Sequence, residues 1–142
     1  LRFNGYFNKM VFMIERARSL AITGKGDYDG YGVFFDTGNK YIKLFGGGPN
    51  IADQTEIEKI DITDKNFIIR AQDDPAQSSW NCDISATIYF DTESGKIKFL
   101  CQNNDLPDAA LMNISLKEEP VPPGTLNKSF SIHRAAGIPQ IK

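Results

Sequence analysis

Histidine and tryptophan each occur once in this sequence, cysteine twice and methionine three times. Two cysteines exclude a disulfide-dense mini-protein. No apolar run approaches the roughly 18–20 residues that span a bilayer as a helix. No sign of charge dominates either: 16 basic and 18 acidic side chains leave a net charge of −2. The basic face of a general nucleic-acid binder is therefore not expected. Catalytic signatures are missing too, since no Gly-x-Ser-x-Gly, His-Glu-x-x-His or Cys-x-x-Cys pattern occurs. The lone His133 falls in an expected strand without a legible partner base or nucleophile, so no catalytic residue and no enzyme activity is expected. What remains is a chain of 142 residues, 41% hydrophobic, long enough to build one domain around its own core.

Aromatics are plentiful by contrast, with ten Phe and five Tyr. Phe3, Tyr6, Phe7 and Phe12 crowd the start, with Met10 and Met13 among them. The spacing predicts a helix over Leu1 to Ile22, because Phe3, Phe7, Met10, Ile14, Ala17 and Ala21 form one continuous stripe. Gly24 supplies its left-handed cap. Tyr6, Val11, Phe12 and Met13 lie off the stripe and are expected to need a second partner. Removing Leu1 to Met10 is accordingly expected to improve solubility and leave the rest folded.

Everything after Gly26 reads as strands and turns. Tyr31–Phe35 and Tyr41–Phe45 flank Asp36-Thr37-Gly38-Asn39, strong turn chemistry for a hairpin. Gly46-Gly47-Gly48 is followed by Pro49-Asn50 and not by Gly-Lys-Ser/Thr and a helix, so it reads as a loop needing positive φ and not a phosphate cradle. Ile57, Ile60 and Ile62 form an irregular third segment, and Phe67-Ile68-Ile69 a fourth. Ile84, Ala86, Ile88 and Phe90 alternate with Ser85, Thr87 and Tyr89, the pattern of a half-buried strand. Lys96–Leu100, Leu111–Leu116 and Phe130–His133 complete the set. The class is α+β: one N-terminal helix (residues 1–24) packed on antiparallel sheet of about seven or eight short strands (residues 27–142), in a single domain.

Several constellations bear on function. Cys82 and Cys101 flank a hairpin, and a disulfide between them is favoured over free buried thiols. Such a bond implies an extracytoplasmic compartment. Asp27-Tyr28-Asp29-Gly30 has the alternation of a calcium loop but no third ligand and no distal Glu, so it reads as a solvated turn and no metal or cofactor is expected. Trp80, with Tyr28, Tyr31 and Tyr89, is a candidate contact for a glycan or peptide, the alternative being a Trp that caps the core edge. Lys40, Lys43, Lys96 and Lys98 make a basic strip only if their strands adjoin.

Arg16-Ala17-Arg18-Ser19-Leu20-Ala21, then Gly30-Tyr31-Gly32-Val33-Phe34-Phe35, Tyr41–Phe45 and the tail Phe130–Ile138, resemble the pilin-like proteins of bacterial type IV filaments. The likeness is nearest to the minor pilin and pseudopilin group and covers about half the chain. It implies a non-enzymatic structural subunit of a pilus or pseudopilus. It also implies a hydrophobic helix half before Leu1, preceded by a leader that a prepilin peptidase cleaves. That segment would hold the subunit in the inner membrane, beside the assembly machinery, until homologous subunits pack their helices in the filament. The resemblance places Tyr6, Phe7, Met10, Val11, Phe12, Met13 and Ile14 in helix packing, and leaves the strand loops exposed for adhesion or partner contact. The family's C-terminal disulfide loop has no match here, because Cys82 and Cys101 lie too early. A secreted β-rich glycan- or peptide-binding module is the alternative.

Overall fold

The computed structural model describes residues 3–24, 27–62, 67–72, 82–118 and 127–141. Helix α1 runs Phe3–Thr23 and ends where Gly24 turns left-handed at φ +61°, its N–H donating to the Leu20 carbonyl at 3.3 Å. The predicted stripe is buried from Phe3 through Ala21. Tyr6 and Met13, expected to face outward, are buried in the same core, a correction to the sequence reading. On a helix their positions flank the stripe, so a sheet that wraps the helix buries them with it. Among the four off-stripe residues only Phe12 is exposed, and Val11 is half-buried against the core.

The strands are β1 (Gly30–Asp36), β2 (Tyr41–Gly47), β3 (Gln54–Asp61), β4 (Phe67–Gln72), β5 (Ser85–Asp91), β6 (Ile97–Cys101), β7 (Asn104–Asp105), β8 (Leu111–Glu118), β9 (Asn127–His133) and β10 (Pro139–Ile141). All described pairings are antiparallel. They form a six-stranded sheet ordered β3-β2-β1-β5-β6-β7 and a four-stranded sheet ordered β10-β9-β8-β4. The α+β class stands, with ten strands among the described residues in place of seven or eight. The two unforeseen ones, β7 and β10, are two and three residues long and too short to carry an alternating pattern.

One core joins the three layers. Val33, Phe35, Leu44 and Ile88 from the larger sheet meet Ile114, Phe130 and Ile132 from the smaller. The helix meets both, with Phe7 edge-on to Phe130 at 5.8 Å between centroids, and Phe130 tilted against Phe35 at 6.5 Å. The β1–β2 hairpin follows its predicted turn: the Asp36 carboxylate accepts the Asn39 N–H at 2.8 Å, and Lys40 sits at φ +58°. Among Gly46–Gly48 only Gly47 has positive φ, and both Gly46 and Gly47 belong to β2.

Strand β5 departs from its half-buried reading. Ile84 precedes the strand and is 62% exposed, whereas Ser85, Thr87 and Tyr89 are buried along with Ala86 and Ile88. The reason is a second apolar layer on the outer face of the large sheet, where Phe34, Phe45 and Tyr89 cluster with Tyr41. Phe45 and Tyr89 stack at 6.2 Å. Gly32 makes this layer possible: a Cβ there would lie 2.5 Å from the Ile88 carbonyl oxygen and 2.6 Å from the Phe45 ring. The β2–β3 connection folds back over the layer, since the Tyr89 hydroxyl donates to the Gly47 carbonyl at 2.8 Å and the Ile51 N–H to Asn103 Oδ1 at 2.9 Å.

Candidate functional site

Helix α1 presents Asn4, Asn8, Phe12, Glu15, Ser19 and Ile22 outward, steps of four and three that make a stripe opposite the buried one. Phe12 stands at its middle with 51% of its surface exposed. Lys9 Nζ lies 5.2 Å from the Phe12 ring centroid and also pairs with Glu58 at 2.8 Å. Arg16 reaches the same carboxylate at 3.2 Å, so Glu58 on β3 ties two helical turns to the sheet edge. These pairs are a third exposed and contribute modestly to stability. The buried residues of α1 fix which face points outward, and the pairs add a tie to the sheet edge.

A cavity of about 470 Å³ opens at the C-terminal end of α1, between the helix, the β5–β6 turn and the turn after β9. Ala21, Phe90 and Ile97 give it an apolar floor, and Arg18, Asp91, Thr92 and Glu93 line its walls, so both signs of charge meet there. The Thr92 hydroxyl oxygen is buried without a hydrogen-bond partner. Arg18 makes no hydrogen bond or ion pair among the described residues. Beneath the cavity, Arg134 is fully engaged. Its Nε donates to the Ala109 carbonyl at 2.8 Å, while Nη1 and Nη2 donate to those of Ile97 and Leu106, each at 2.6 Å. Its guanidinium also lies 4.9 Å from the Phe99 centroid. Sequence reading passed over this clamp, because no local pattern marks an arginine whose partners lie 25 or more residues away.

Cys82 and Cys101 are disulfide-bonded, with Cα atoms 5.1 Å apart. The bond spans the sheets: Cys101 ends β6, whereas the Cys82 N–H donates to the Ala71 carbonyl on β4 at 3.1 Å. Trp80 lies outside the described residues. Tyr31 and Tyr89 are buried, and Tyr28 packs edge-on to Tyr31 at 5.8 Å, so these three tyrosines present no open platform for a sugar. The basic strip does not form, because β1 and β5 separate β2 (Lys43) from β6 (Lys98). Lys43 instead lies 5.0 Å from the Phe34 centroid, and burial lowers its pKa. Burial, then the Asp91 and Asp29 charges, push Tyr89 up to about 12. Burial, followed by the nearby Asp36, raises Tyr41 as well.

His133 is half-buried in β9, and no three His, Cys, Asp or Glu side chains cluster to hold a metal among the described residues. No described helix is long and apolar enough to cross a membrane. No family model, no curated protein and no solved structure matches this chain.

Proposed function

We propose that this chain is a non-enzymatic structural subunit of a type IV pilus or pseudopilus, assembling with homologous subunits through α1. Its strand loops are left free for adhesion or partner contact. The observation that carries the reading is Phe12, an aromatic half exposed at the centre of a helix whose other face is wholly core. An aromatic in that position gains most by burial against another protein. The Cys82–Cys101 bond supports assembly outside the cytoplasm, where disulfides persist. The motifs from Arg16 to Phe45 and the tail around Phe130 supply the family resemblance. On this reading the inner membrane and the assembly machinery meet the subunit through a segment before Leu1, and the outward stripe of α1 faces neighbouring subunits.

The test is to express the gene with the residues naturally encoded before Leu1 in its own host. Cleavage by a prepilin peptidase, and recovery of the chain in filaments sheared from the cells or from an overproduced pseudopilus, are expected. Cleavage by an ordinary signal peptidase with release of a monodisperse protein overturns the reading in favour of a secreted binding module.

A further inference from the structure

Asn-x-Ser occurs twice in this chain, as Asn113-Ile114-Ser115 on β8 and Asn127-Lys128-Ser129 on β9. Asparagine and serine in this spacing form the acceptor pattern for an N-linked glycan in proteins that leave the cytoplasm. The two copies of the pattern are alike in sequence, and the fold separates them. Asn113 is 6% exposed, flanked by Ser115 and Ser131 at 1% each, and its Oδ1 accepts the Ser131 hydroxyl at 3.3 Å. A sugar on its amide nitrogen has no room while the sheet is folded. Asn127 is exposed at the start of β9. Its Oδ1 accepts the Ser115 hydroxyl at 2.8 Å, and its Nδ2 makes no hydrogen bond among the described residues. The amide is thus held by the oxygen that an N-linked glycan leaves in place, and is free at the nitrogen that the glycan uses. Direction agrees with this. Side chains alternate along a strand, and Lys128 Nζ lies 5.7 Å from the Phe7 ring centroid of α1. Asn127 and Ser129 therefore share the opposite face of β9, away from the helix and the core.

We infer that Asn127 is the acceptor of an N-linked glycan and that Asn113 is not. The donor class is an oligosaccharide carried on a polyprenyl diphosphate. Nδ2 of Asn127 bonds to the anomeric carbon of the sugar as the bond from that carbon to the diphosphate oxygen breaks. The electron pair leaves with the polyprenyl diphosphate, and Nδ2 loses one proton. The modification needs the oxidising compartment that the Cys82–Cys101 bond implies, and it does not depend on the filament reading.

The test is mass spectrometry of the chain recovered from its own host, expressed with the residues naturally encoded before Leu1. The intact mass is expected to exceed that of the polypeptide by one glycan. Peptide-N-glycosidase should release it and convert the Asn127 amide to a carboxylate. Asn127→Gln and Ser129→Ala should each lose the added mass entirely, whereas Ser129→Thr and Asn113→Gln should keep it. An unchanged melting point of the first two variants shows that the loss is chemical and not a failure to fold. A chain of bare polypeptide mass overturns the inference. So does a glycan mapped to Asn113, or an added mass that survives Asn127→Gln. Filaments built from unmodified subunits remove this site and leave the filament reading standing. A chain glycosylated at Asn127 but released as a monodisperse secreted protein does the reverse.

Discussion

Arg134 holds three backbone carbonyls from two stretches of chain, Ile97 on β6 and Leu106 and Ala109 beyond it. Hydrogen bonds from a charged donor contribute about 1.5–3 kcal/mol apiece, and a buried carbonyl left unbonded carries its full desolvation cost. Arg134→Ala is therefore expected to lower the unfolding free energy by about 3–5 kcal/mol, measured by urea titration. Arg134→Lys should recover less than half of that, since an ammonium cannot reproduce the planar fork. Tyr89 makes a pH-dependent contribution. Its folded pKa of about 12 stands above the ordinary value of 10.0 because burial, then Asp91 and Asp29, disfavour the phenolate. Only the protonated hydroxyl can donate to the Gly47 carbonyl. A raised folded pKa means that this stabilisation is complete below about pH 10 and is lost as pH rises through about 12. Alkaline titration should show stability falling by roughly 2 kcal/mol across that window. Tyr89→Phe should lie below the parent at pH 8 and lose much less over the same range.

At the scale of elements, the helix and the hairpins were the most legible. The stripe from Phe3 to Ala21 repeats over about five turns, and the Asp36–Asn39 turn is closed by the side chain that its sequence advertises. Strand β5 was half legible: its alternation located the core face, but nothing in Ser85, Thr87 and Tyr89 foretold a covered outer face. That cover comes from Phe34, Phe45 and a connection between β2 and β3, far off in sequence. Gly32 carried a faint signal, because a glycine in mid-strand often marks a close approach. The disulfide acts at this scale as well, joining the end of β6 to the entry of β5 and, through Cys82 N–H, to β4. A loop of this size, with the cysteines 19 residues apart, corresponds to about 3 kcal/mol of stabilisation. Reduction with dithiothreitol should lower the urea midpoint accordingly, and Cys82→Ala with Cys101→Ala should match the reduced protein. A shift below about 0.5 kcal/mol would mean that inter-sheet packing alone holds the two sheets together.

For the molecule as a whole, the helix is part of the core and not an appendage. Phe3, Tyr6, Phe7 and Met10 are buried, and Phe7 packs against Phe130 of the smaller sheet. Truncating a single buried Phe costs about 3–5 kcal/mol. Domains of this size are stable by only about 5–15 kcal/mol in total. Deletion of residues 1–10 is therefore expected to unfold both sheets, with loss of the β-sheet circular dichroism signal and aggregation. This reverses the expectation drawn from the off-stripe residues. A soluble, folded deletion protein would place the helix outside the cooperative unit and restore it. The same burial leaves the stripe around Phe12 as the outward face of α1.

The sequence by itself determined where the helix lies, which of its faces is buried at minimum, where the first hairpin turns and that the strands are antiparallel. Those features depend on periodicity and turn chemistry, which act over neighbouring residues. Only the tertiary structure decided that Tyr6 and Met13 are core while Phe12 is not, and that β5 is covered on both faces. It also decided that Arg134 clamps the sheets and that a cavity opens at the helix end. Each of these depends on what distant segments place against a side chain, and a local pattern records a residue's direction without recording what it will meet.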